Sequence, residues 1–363
     1  MSKAIAVLGA GHGGHAVSAE LTEKGYDVRL YQDPSLINTI SKVYETREIK
    51  ISGELRKTAV VKISTVTTDL KQAVKGADII FVTVPAFIHR KFASELAEFV
   101  EEGQIIVLLP GTLGSLVFAR IFKEKGALDK VLIAETNTLP YDTRILAPGE
   151  VFVYKMNDPL LLGVFPAIKT DEAFKKLEGT YNFTPVTDVL ECALHSHNPI
   201  LHTPACIMNT GRIERSKGNF YLYEEGFTPT ICRVTEEMDK ERMAIGYAYG
   251  YKPLTLVQVL SGLKNPGDLW KETNGNKGLC YIKGPESVKS RYFTEDTPNG
   301  LVPWSLIAGL AGVKTPLIDS FATISSVVIE FDSWKDGRTL KDMGIDGLAK
   351  EQFKEYMKTG KRS

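Results

Sequence analysis

The feature that most constrains the fold of this chain is a glycine-rich turn close to its start. An apolar run from Ala4 to Leu8 ends at the sequence GAGHGG, residues 9–14, and the apolar positions that follow have helical spacing. In a strand–turn–helix unit of the G-x-G-x-x-G form, the first glycine permits the tight turn and the second lets backbone amides approach a pyrophosphate. The third allows helix and strand to pack closely, and the N–H groups of the helix N-terminus face the anion. The sequence therefore predicts a dinucleotide site whose turn contributes Gly9, Gly11, His12, Gly13 and Gly14.

Strand-like and helical patterns alternate through the rest of the first half. The apolar runs are continuous, which is typical of the buried strands of a parallel, doubly wound sheet. The predicted strands are Val60–Ile63, Ile79–Val84, Ile105–Leu109 and Val131–Ala134, with helices at Leu70–Val74 and Ala93–Val100. Two further runs, Val151–Tyr154 and Leu160–Val164, are expected to extend the same sheet.

From Asp188 onward, strand signals nearly vanish and helical periodicity dominates. A chain of 363 residues is also too long for one ordinary core. The sequence therefore predicts an α/β Rossmann-type doubly wound sheet in residues 1–187, followed by a mostly α-helical second domain in residues 188–363. On one helical stretch of that domain, Thr235–Arg242, the charges are spaced as on a solvated face.

The end of the second predicted strand bears on the choice of cofactor. In NAD-binding sites an acid about 20 residues beyond the glycines takes the ribose hydroxyls, and here Gln32 and Asp33 occupy that place. Either the Asp33 carboxylate accepts hydrogen bonds from those hydroxyls, or the uncharged Gln32 amide does so. In the second case the site discriminates less between NAD and NADP. No arginine or lysine follows immediately to hold a 2′-phosphate, which favours NAD over NADP. Pro85, at the end of the strand Ile79–Val84, is a further candidate cofactor contact, with simple loop punctuation as its alternative.

Just past the midpoint, residues 195–209 hold three of the six histidines of the chain. An unpaired buried polar group costs about 1–3 kcal/mol, so a polar stripe on an apolar helix must face water or a site. His195 and His202 lie two helical turns apart, roughly 10 Å along the axis, which is too far for one zinc ion. We therefore expect no metal here, and His202 is either a satisfied core residue or a general acid/base. The residues that share this helical face are His195, Asn198, His202, Cys206 and Asn209.

Composition bears on the class of partner and the compartment. The 44 basic and 44 acidic residues cancel, so no global charge attracts nucleic acid or an anionic membrane. The four cysteines are scattered without a C-x-x-C pair, which fits a reducing cytoplasm. We see no secretory signal and no apolar run of about 20 residues. We expect a cytoplasmic protein with small-molecule substrates and with neither nucleic acid nor membrane as partner, and a homodimer stays open as its oligomeric state.

Four segments together resemble the octopine/opine dehydrogenase family. They are GAGHGGHA at residues 9–16, NPILH at 198–202 with NTG at 209–211, YEEGFTP at 223–229, and RYFTED at 291–296 with GLVP at 300–303. The segments TPLID at 315–319 and GRTL at 337–340 add to it, so that the resemblance spans nearly the whole chain. It implies an NAD(P)H-dependent reductive condensation of an α-keto acid with the amino group of an amino acid, which gives a secondary-amine dicarboxylate, an opine.

The resemblance also implies roles for single residues. His202 resembles the catalytic acid/base, Asp296 its carboxylate partner, and Asn198 a residue near the keto acid. A carboxylate beside an imidazole fixes the tautomer of the ring, and His202 can then protonate the substrate oxygen as water leaves. Arg291 is expected on the cofactor pyrophosphate or on a substrate carboxylate, with a surface ion pair to Glu295 as the alternative. The pattern departs from the family at Gln32, where an acid is usual.

Two other functions fit parts of this sequence. The first is reduction of a plain keto acid, as in ketopantoate reductase and the hydroxyacid dehydrogenases. Those enzymes generally use a lysine as acid/base, and residues 195–209 contain none. The second is a dinucleotide sensor without catalysis, which leaves a pair of His202 and Asp296 unexplained. An opine-type dehydrogenase is the function that we expect.

Overall fold

The computed structural model describes residues 3–262 and 267–362, which divide into two compact units. The first unit runs to residue 193 and includes the segment 355–362, and the second consists of residues 194–354. The prediction differs from this division, because it ends the first domain at residue 187 and gives all of 188–363 to the second. The cause is packing: the ring of Tyr356 lies against that of Phe165, with centroids 5.0 Å apart, and the Cys192 thiol donates to the carbonyl of Glu135 over 3.1 Å.

Strands and helices alternate in the first unit. Its strands are β1 (Ala4–Leu8), β2 (Asp27–Tyr31), β3 (Glu48–Gly53), β4 (Arg56–Lys62), β5 (Thr65–Thr67), β6 (Ile79–Val82), β7 (Gln104–Leu108), β8 (Val131–Thr136), β9 (Tyr141–Ala147), β10 (Glu150–Met156), β11 (Leu160–Phe165) and β12 (Phe183–Pro185). Its helices are α1 (His12–Glu23), α2 (Ser41–Thr46), α3 (Leu70–Val74), α4 (His89–Leu96), α5 (Gly114–Glu124) and α6 (Thr170–Leu177), with short 3-10 helices at Pro34–Ile40, Ala86–Ile88, Leu128–Lys130 and Ala167–Lys169.

The main sheet of this unit is the predicted Rossmann-type sheet. Its eight strands follow the order β12-β11-β8-β7-β6-β1-β2-β5, and its neighbours run parallel except β11 and β8, which are antiparallel. Every residue of β6 and β7 is buried, as expected of strands covered on both faces. The predicted fold class is confirmed, and β11 extends the sheet where the run Leu160–Val164 predicts it.

Two of the predicted strands lie in a different sheet. The runs Val60–Ile63 and Val151–Tyr154 fall on β4 and β10, which belong to a four-stranded sheet of order β4-β3-β10-β9. The expectation that they belong to the main sheet is therefore wrong. The reason is visible on β3, where the buried Ile49 and Ile51 alternate with the exposed Glu48 and Lys50. Such alternation marks a strand with only one covered face. That face packs on α1, which contacts all four strands of this second sheet.

From residue 189 onward the described residues form helices joined by loops. The helices are α7 (Val189–Leu194), α8 (Asn198–Met208), α9 (Thr210–Ser216), α10 (Pro229–Tyr249), α11 (Leu256–Leu260), α12 (Leu269–Thr273), α13 (Arg291–Thr294), α14 (Val302–Leu310), α15 (Pro316–Ile329), α16 (Ser333–Asp336) and α17 (Lys350–Thr359). Two five-residue π-helical segments, Leu222–Gly226 and Thr297–Leu301, interrupt this series.

The long helix α10 corrects the prediction of a solvated charged face at Thr235–Arg242. Arg242 is fully buried, and its Nε donates to Asp239 over 2.7 Å. Three acids of this helix also accept backbone N–H groups at the starts of other helices, which leaves those N–H groups satisfied. Asp239 accepts from Leu256 of α11, Glu236 from Leu269 of α12, and Glu241 from Leu317 and Ile318 of α15.

The glycine turn shows two different uses of glycine. Gly9 has φ of +107°, a backbone conformation that side chains rarely adopt. Gly14, in the first turn of α1, lies so close to the carbonyl of Gly9 that a Cβ added there would overlap it. A Cβ added at Gly11 would meet no heavy atom within 4 Å. Gly14 is therefore needed for packing α1 against β1, and the Gly11 backbone stays open to a ligand.

We expect Gly14→Ala to lower the free energy of unfolding by about 1–3 kcal/mol, because the added methyl group forces α1 away from the turn. Gly11→Ala is the matched control, and its free energy of unfolding should stay within about 0.5 kcal/mol of wild type. Urea denaturation followed by circular dichroism measures both values. Equal stability of the two variants would contradict the packing role of Gly14.

Candidate active site

The first candidate site lies where the strand order of the main sheet reverses. β1 pairs with β2 on one side and with β6 on the other, and ligands of open α/β sheets bind beyond the carboxyl ends of the strands at such a point. Thr83, which follows β6, donates its hydroxyl to the carbonyl of Gly9 over 2.7 Å and contacts that of Leu8 at 3.1 Å. This link fixes the glycine turn to the neighbouring strand.

His12, the first residue of α1, is anchored by the second sheet. Its Nδ1 accepts a hydrogen bond from the backbone N–H of Ile145 over 2.9 Å. An imidazole nitrogen that accepts carries no proton, so the neutral ring has its N–H at Nε2. The ring therefore offers a donor beside a helix N-terminus, which suits an anionic group such as a pyrophosphate.

The residues at the end of β2 are held by local hydrogen bonds. Gln32 is buried; its Oε1 accepts from the N–H of Asp33 over 3.1 Å and its Nε2 donates to Thr39 over 3.3 Å. The Asp33 carboxylate caps the following 3-10 helix and accepts from the Ser35 hydroxyl at 2.5 Å and the Ser35 N–H at 2.9 Å. These hydrogen bonds hold the pKa of Asp33 below its usual value, so the group is charged at neutral pH.

These residues fit a dinucleotide cofactor. The open backbone at Gly11, the close packing at Gly14 and the N-terminus of the twelve-residue helix α1 make up an anion cradle that a side chain at Gly11 would narrow. Gly13 lies against the Leu139 side chain. Pro85 follows β6 at the same edge of the sheet and precedes the 3-10 helix Ala86–Ile88.

The second candidate site is built around His202 on α8. Its Nδ1 lies 2.8 Å from Oδ2 of Asp296, a residue 94 positions away in the sequence. Its Nε2 lies 3.1 Å from the hydroxyl of Tyr223, and its ring stacks on that of Tyr292 with centroids 4.0 Å apart. The sequence predicts the contact with Asp296, and the structure confirms that the two side chains are hydrogen-bonded.

Local backbone geometry brings these partners to His202. Tyr223 lies in the π-helical segment Leu222–Gly226, and Asp296 immediately precedes the segment Thr297–Leu301. Such single π-turns occur frequently at functional sites. Gly300 of the second segment packs against the ring of Pro199 so closely that a Cβ would overlap it. The glycine therefore allows the segment that follows Asp296 to approach the first turn of α8.

Asn198 and Arg291 are more exposed than His202. Asn198 is the first residue of α8, one turn before His202, and its side chain is exposed. The Nε of Arg291 lies 2.7 Å from the carboxylate of Glu295, and the Arg291 side chain is 62% exposed. The structure thus contains the surface ion pair that the sequence allows as an alternative role for this arginine.

The polar stripe of residues 195–209 is divided in the structure. His195 is buried and belongs to the connection between α7 and α8, so it does not lie on the helix that bears His202. Cys206 is buried, which raises the pKa of its thiol. Asn209 ends α8 and donates its side-chain N–H groups to the carbonyls of Ala205 and Gly226, at 2.8 and 3.0 Å. Asn209 therefore holds local backbone carbonyls and Cys206 is packed in the interior, whereas His202 contacts the side chains of Asp296 and Tyr223.

Sequence reasoning missed two aromatic neighbours of His202, Tyr223 and Tyr292. Each begins or lies within a segment that carries the family resemblance, YEEGFTP and RYFTED. That coincidence is the signal that would have found them. Neither a helical wheel nor residue spacing relates them to α8.

Among residues 3–262 and 267–362, no cluster of three or more histidine, cysteine, aspartate or glutamate side chains has the arrangement of a metal site. Within the same residues, no helix combines the length and the apolar character that a membrane crossing requires.

Comparison with known proteins relates both units of the chain to sequence families. Residues 185–329 match the sequence model of the NAD/NADP octopine/nopaline dehydrogenase α-helical domain, and residues 4–114 match that of the NAD-dependent glycerol-3-phosphate dehydrogenase N-terminus. An opine dehydrogenase of Arthrobacter sp. (strain 1C) is 35% identical over 355 residues, which cover 96% of each chain. The chain belongs to the opine dehydrogenase family. Members of this family are NAD(P)-dependent oxidoreductases that act on CH–NH bonds.

Solved structures of other opine dehydrogenases share the fold. An octopine dehydrogenase in complex with NADH and agmatine aligns with a TM-score of 0.78 at 21% identity, covering 100% of this chain and 99% of the other. A yersinopine dehydrogenase with bound NADP+ aligns with a TM-score of 0.79 at 14% identity, covering 98% and 99%. The arrangement of a Rossmann-type unit followed by a helical unit is therefore that of the opine dehydrogenases.

The buried His15 beside the glycine turn gives this member of the family a testable dependence of stability on pH. Burial lowers the pKa of His15 to about 4, whereas an exposed histidine has a pKa of about 6.5. The unfolded chain therefore binds the proton more readily, and stability is lost as the pH falls from about 6.5 towards 4. In wild type, the free energy of unfolding should fall between pH 7 and pH 5, and His15 should account for about 2 kcal/mol of that fall. We expect this part to be absent in His15→Gln. Urea denaturation at both pH values measures it, and an equal loss in wild type and variant would contradict the assignment.

Proposed function

We propose that the protein condenses an α-keto acid reductively with the amino group of an amino acid, using NADH or NADPH. The observation that carries this proposal is the hydrogen-bonded pair of His202 and Asp296 in a chain of the opine dehydrogenase family. Charge and atoms balance when a keto acid, an ammonium group, a hydride and one proton give a secondary ammonium product and water. The reaction therefore needs a group that manages a proton at the carbonyl oxygen.

We assign that task to His202. Its Nδ1 faces a carboxylate at 2.8 Å, so the Nδ1–H donates a hydrogen bond to Asp296 and the tautomer is fixed. The chemistry then takes place at Nε2, which holds a proton that the substrate oxygen can receive as water leaves. In the reverse direction the same nitrogen accepts it. Asp296 acts through His202 by holding its orientation.

Asn198 is proposed to bind the keto acid. Its exposed amide stands one helical turn before His202 on the same helix, and residues four apart lie on one face. An amide can donate two hydrogen bonds to a carboxylate. This arrangement would hold the keto acid beside the group that protonates it.

The cofactor-binding role is proposed for Gly9, Gly11, His12, Gly13, Gly14, Gln32, Asp33, Pro85 and Arg291. When bound, the reduced nicotinamide supplies the hydride to the substrate carbon. The open glycine turn and the His12 donor suit the pyrophosphate. The charged Asp33 at the end of β2 suits ribose hydroxyls and repels a 2′-phosphate, which favours NAD. Arg291 can serve the cofactor only by exchanging its present partner Glu295.

A matrix of α-keto acids and amino acids, each with NADH and with NADPH, tests the reaction through the loss of nicotinamide absorbance. We expect oxidation only when a keto acid and an amino acid are both present, and a higher kcat/KM with NADH. Oxidation with a keto acid alone would instead identify a plain keto-acid reductase. Cofactor binding without turnover in every combination would identify a sensor.

His202→Ala is expected to lower kcat by about 10²–10⁴-fold, the usual contribution of a general acid/base. Asp296→Asn should lower it by about 10²-fold, because the amide no longer fixes the proton at Nδ1. Both variants should bind NADH as wild type does, measured by the quenching of protein fluorescence. Wild-type turnover in His202→Ala would mean that another residue is the acid/base.

A further inference from the structure

Both ring nitrogens of His202 are occupied in the structure. Nδ1 is bonded to Asp296, and Nε2 lies 3.1 Å from the hydroxyl of Tyr223. One face of the ring is covered by Tyr292. His202 is 7% exposed and Tyr223 is 4% exposed. A proton that leaves the ring on the side away from Asp296 therefore meets the oxygen of Tyr223 first.

Tyr223 is held in this position from two directions. Its ring stacks on that of Phe227, with centroids 5.4 Å apart and planes 4° from parallel. The π-helical segment that contains it is tied to the end of α8, because the Asn209 side chain donates to the carbonyl of Gly226 over 3.0 Å. The hydroxyl and the imidazole are thus fixed to the same helix.

We propose that Tyr223 is the second proton-carrying group of the active site, and that the proton passes between His202 and the substrate oxygen through its hydroxyl. This inference rests on the proposed role of His202 as the acid/base. A phenol suits the position because its hydroxyl donates and accepts at once. It accepts from the protonated ring and donates to the neutral ring, so neither state leaves a buried nitrogen unpaired.

The transfer balances without any further reactant. The Nε2–H bond of His202 breaks and its proton forms a new O–H bond on Tyr223, while the original O–H bond of Tyr223 breaks and its proton moves to the substrate oxygen. Tyr223 is neutral before and after the step. His202 ends neutral, and its remaining N–H at Nδ1 donates a hydrogen bond to Asp296. The reverse sequence returns the proton when the opine is oxidised.

Tyr223→Phe tests the relay, with Tyr221→Phe as the matched control. Both changes remove one hydroxyl, but the side chain of Tyr221 is 42% exposed. We expect Tyr223→Phe to lower the single-turnover rate of reduction by about 10²-fold or more, with unchanged NADH binding, and Tyr221→Phe to keep the wild-type rate. The same rate is then measured at several fractions of D₂O. In wild type it should fall along a curve as the D₂O fraction rises, because two protons move. In Tyr223→Phe it should fall linearly.

A fluorinated tyrosine at position 223 separates transfer from support of the His202 ring. It keeps the ring size and the hydroxyl but makes the phenol more acidic, and a proton-transfer step responds to acidity. We expect its rate and its pH profile to differ from wild type. Wild-type values for this variant, or a wild-type rate in Tyr223→Phe, would overturn the relay. If either of these results is obtained and His202→Ala is inactive, the proposed role of His202 stands and only the relay is wrong. If His202→Ala is active, both proposals are wrong.

Discussion

A buried ion pair on α10 organises the second unit. Besides its bond to Asp239, the guanidinium of Arg242 donates to the backbone carbonyls of Leu194 and Leu254, at 2.9 and 2.6 Å. A buried charge that loses its partners costs several kcal/mol, so these carbonyls are held firmly where the guanidinium needs them. Leu194 is the last residue of α7, shortly before α8 begins. The ion pair therefore fixes the point from which the helix bearing His202 starts.

The parts of the structure that depend on residues close together in the sequence were predictable. The glycine turn between β1 and α1 and the continuous apolar strands are local patterns, and they predict the Rossmann-type fold correctly. The contact between His202 and Asp296 is different, because no periodicity relates residues 94 positions apart. It is predictable only because both segments resemble segments of one family. Tyr223 lies in a third such segment, yet nothing in the sequence tells which nitrogen of His202 it meets.

The errors have physical causes of the same kind. The spacing of charges on α10 shows which residues share a face, but it does not show what covers that face. Glu236, Asp239 and Glu241 are occupied by the N-termini of helices that come later in the chain. Likewise the short apolar runs on β4 and β10 resemble those of core strands, and the second sheet that holds them depends on the pairing of β3 with β10, which are far apart in sequence. Tertiary partners decide both cases.

The packing of α1 has a consequence for recombination and protein engineering. Residues 13–21 of this helix are all buried, because the main sheet lies on one side of it and β3, β4, β9 and β10 on the other. Such a helix has no polar face to show to water. A Rossmann unit excised without residues 48–62 and 141–156 would expose apolar surface, and a foreign nucleotide-binding helix with a polar outer face would leave the second sheet without a core. The helix and the second sheet can be exchanged between homologues only together.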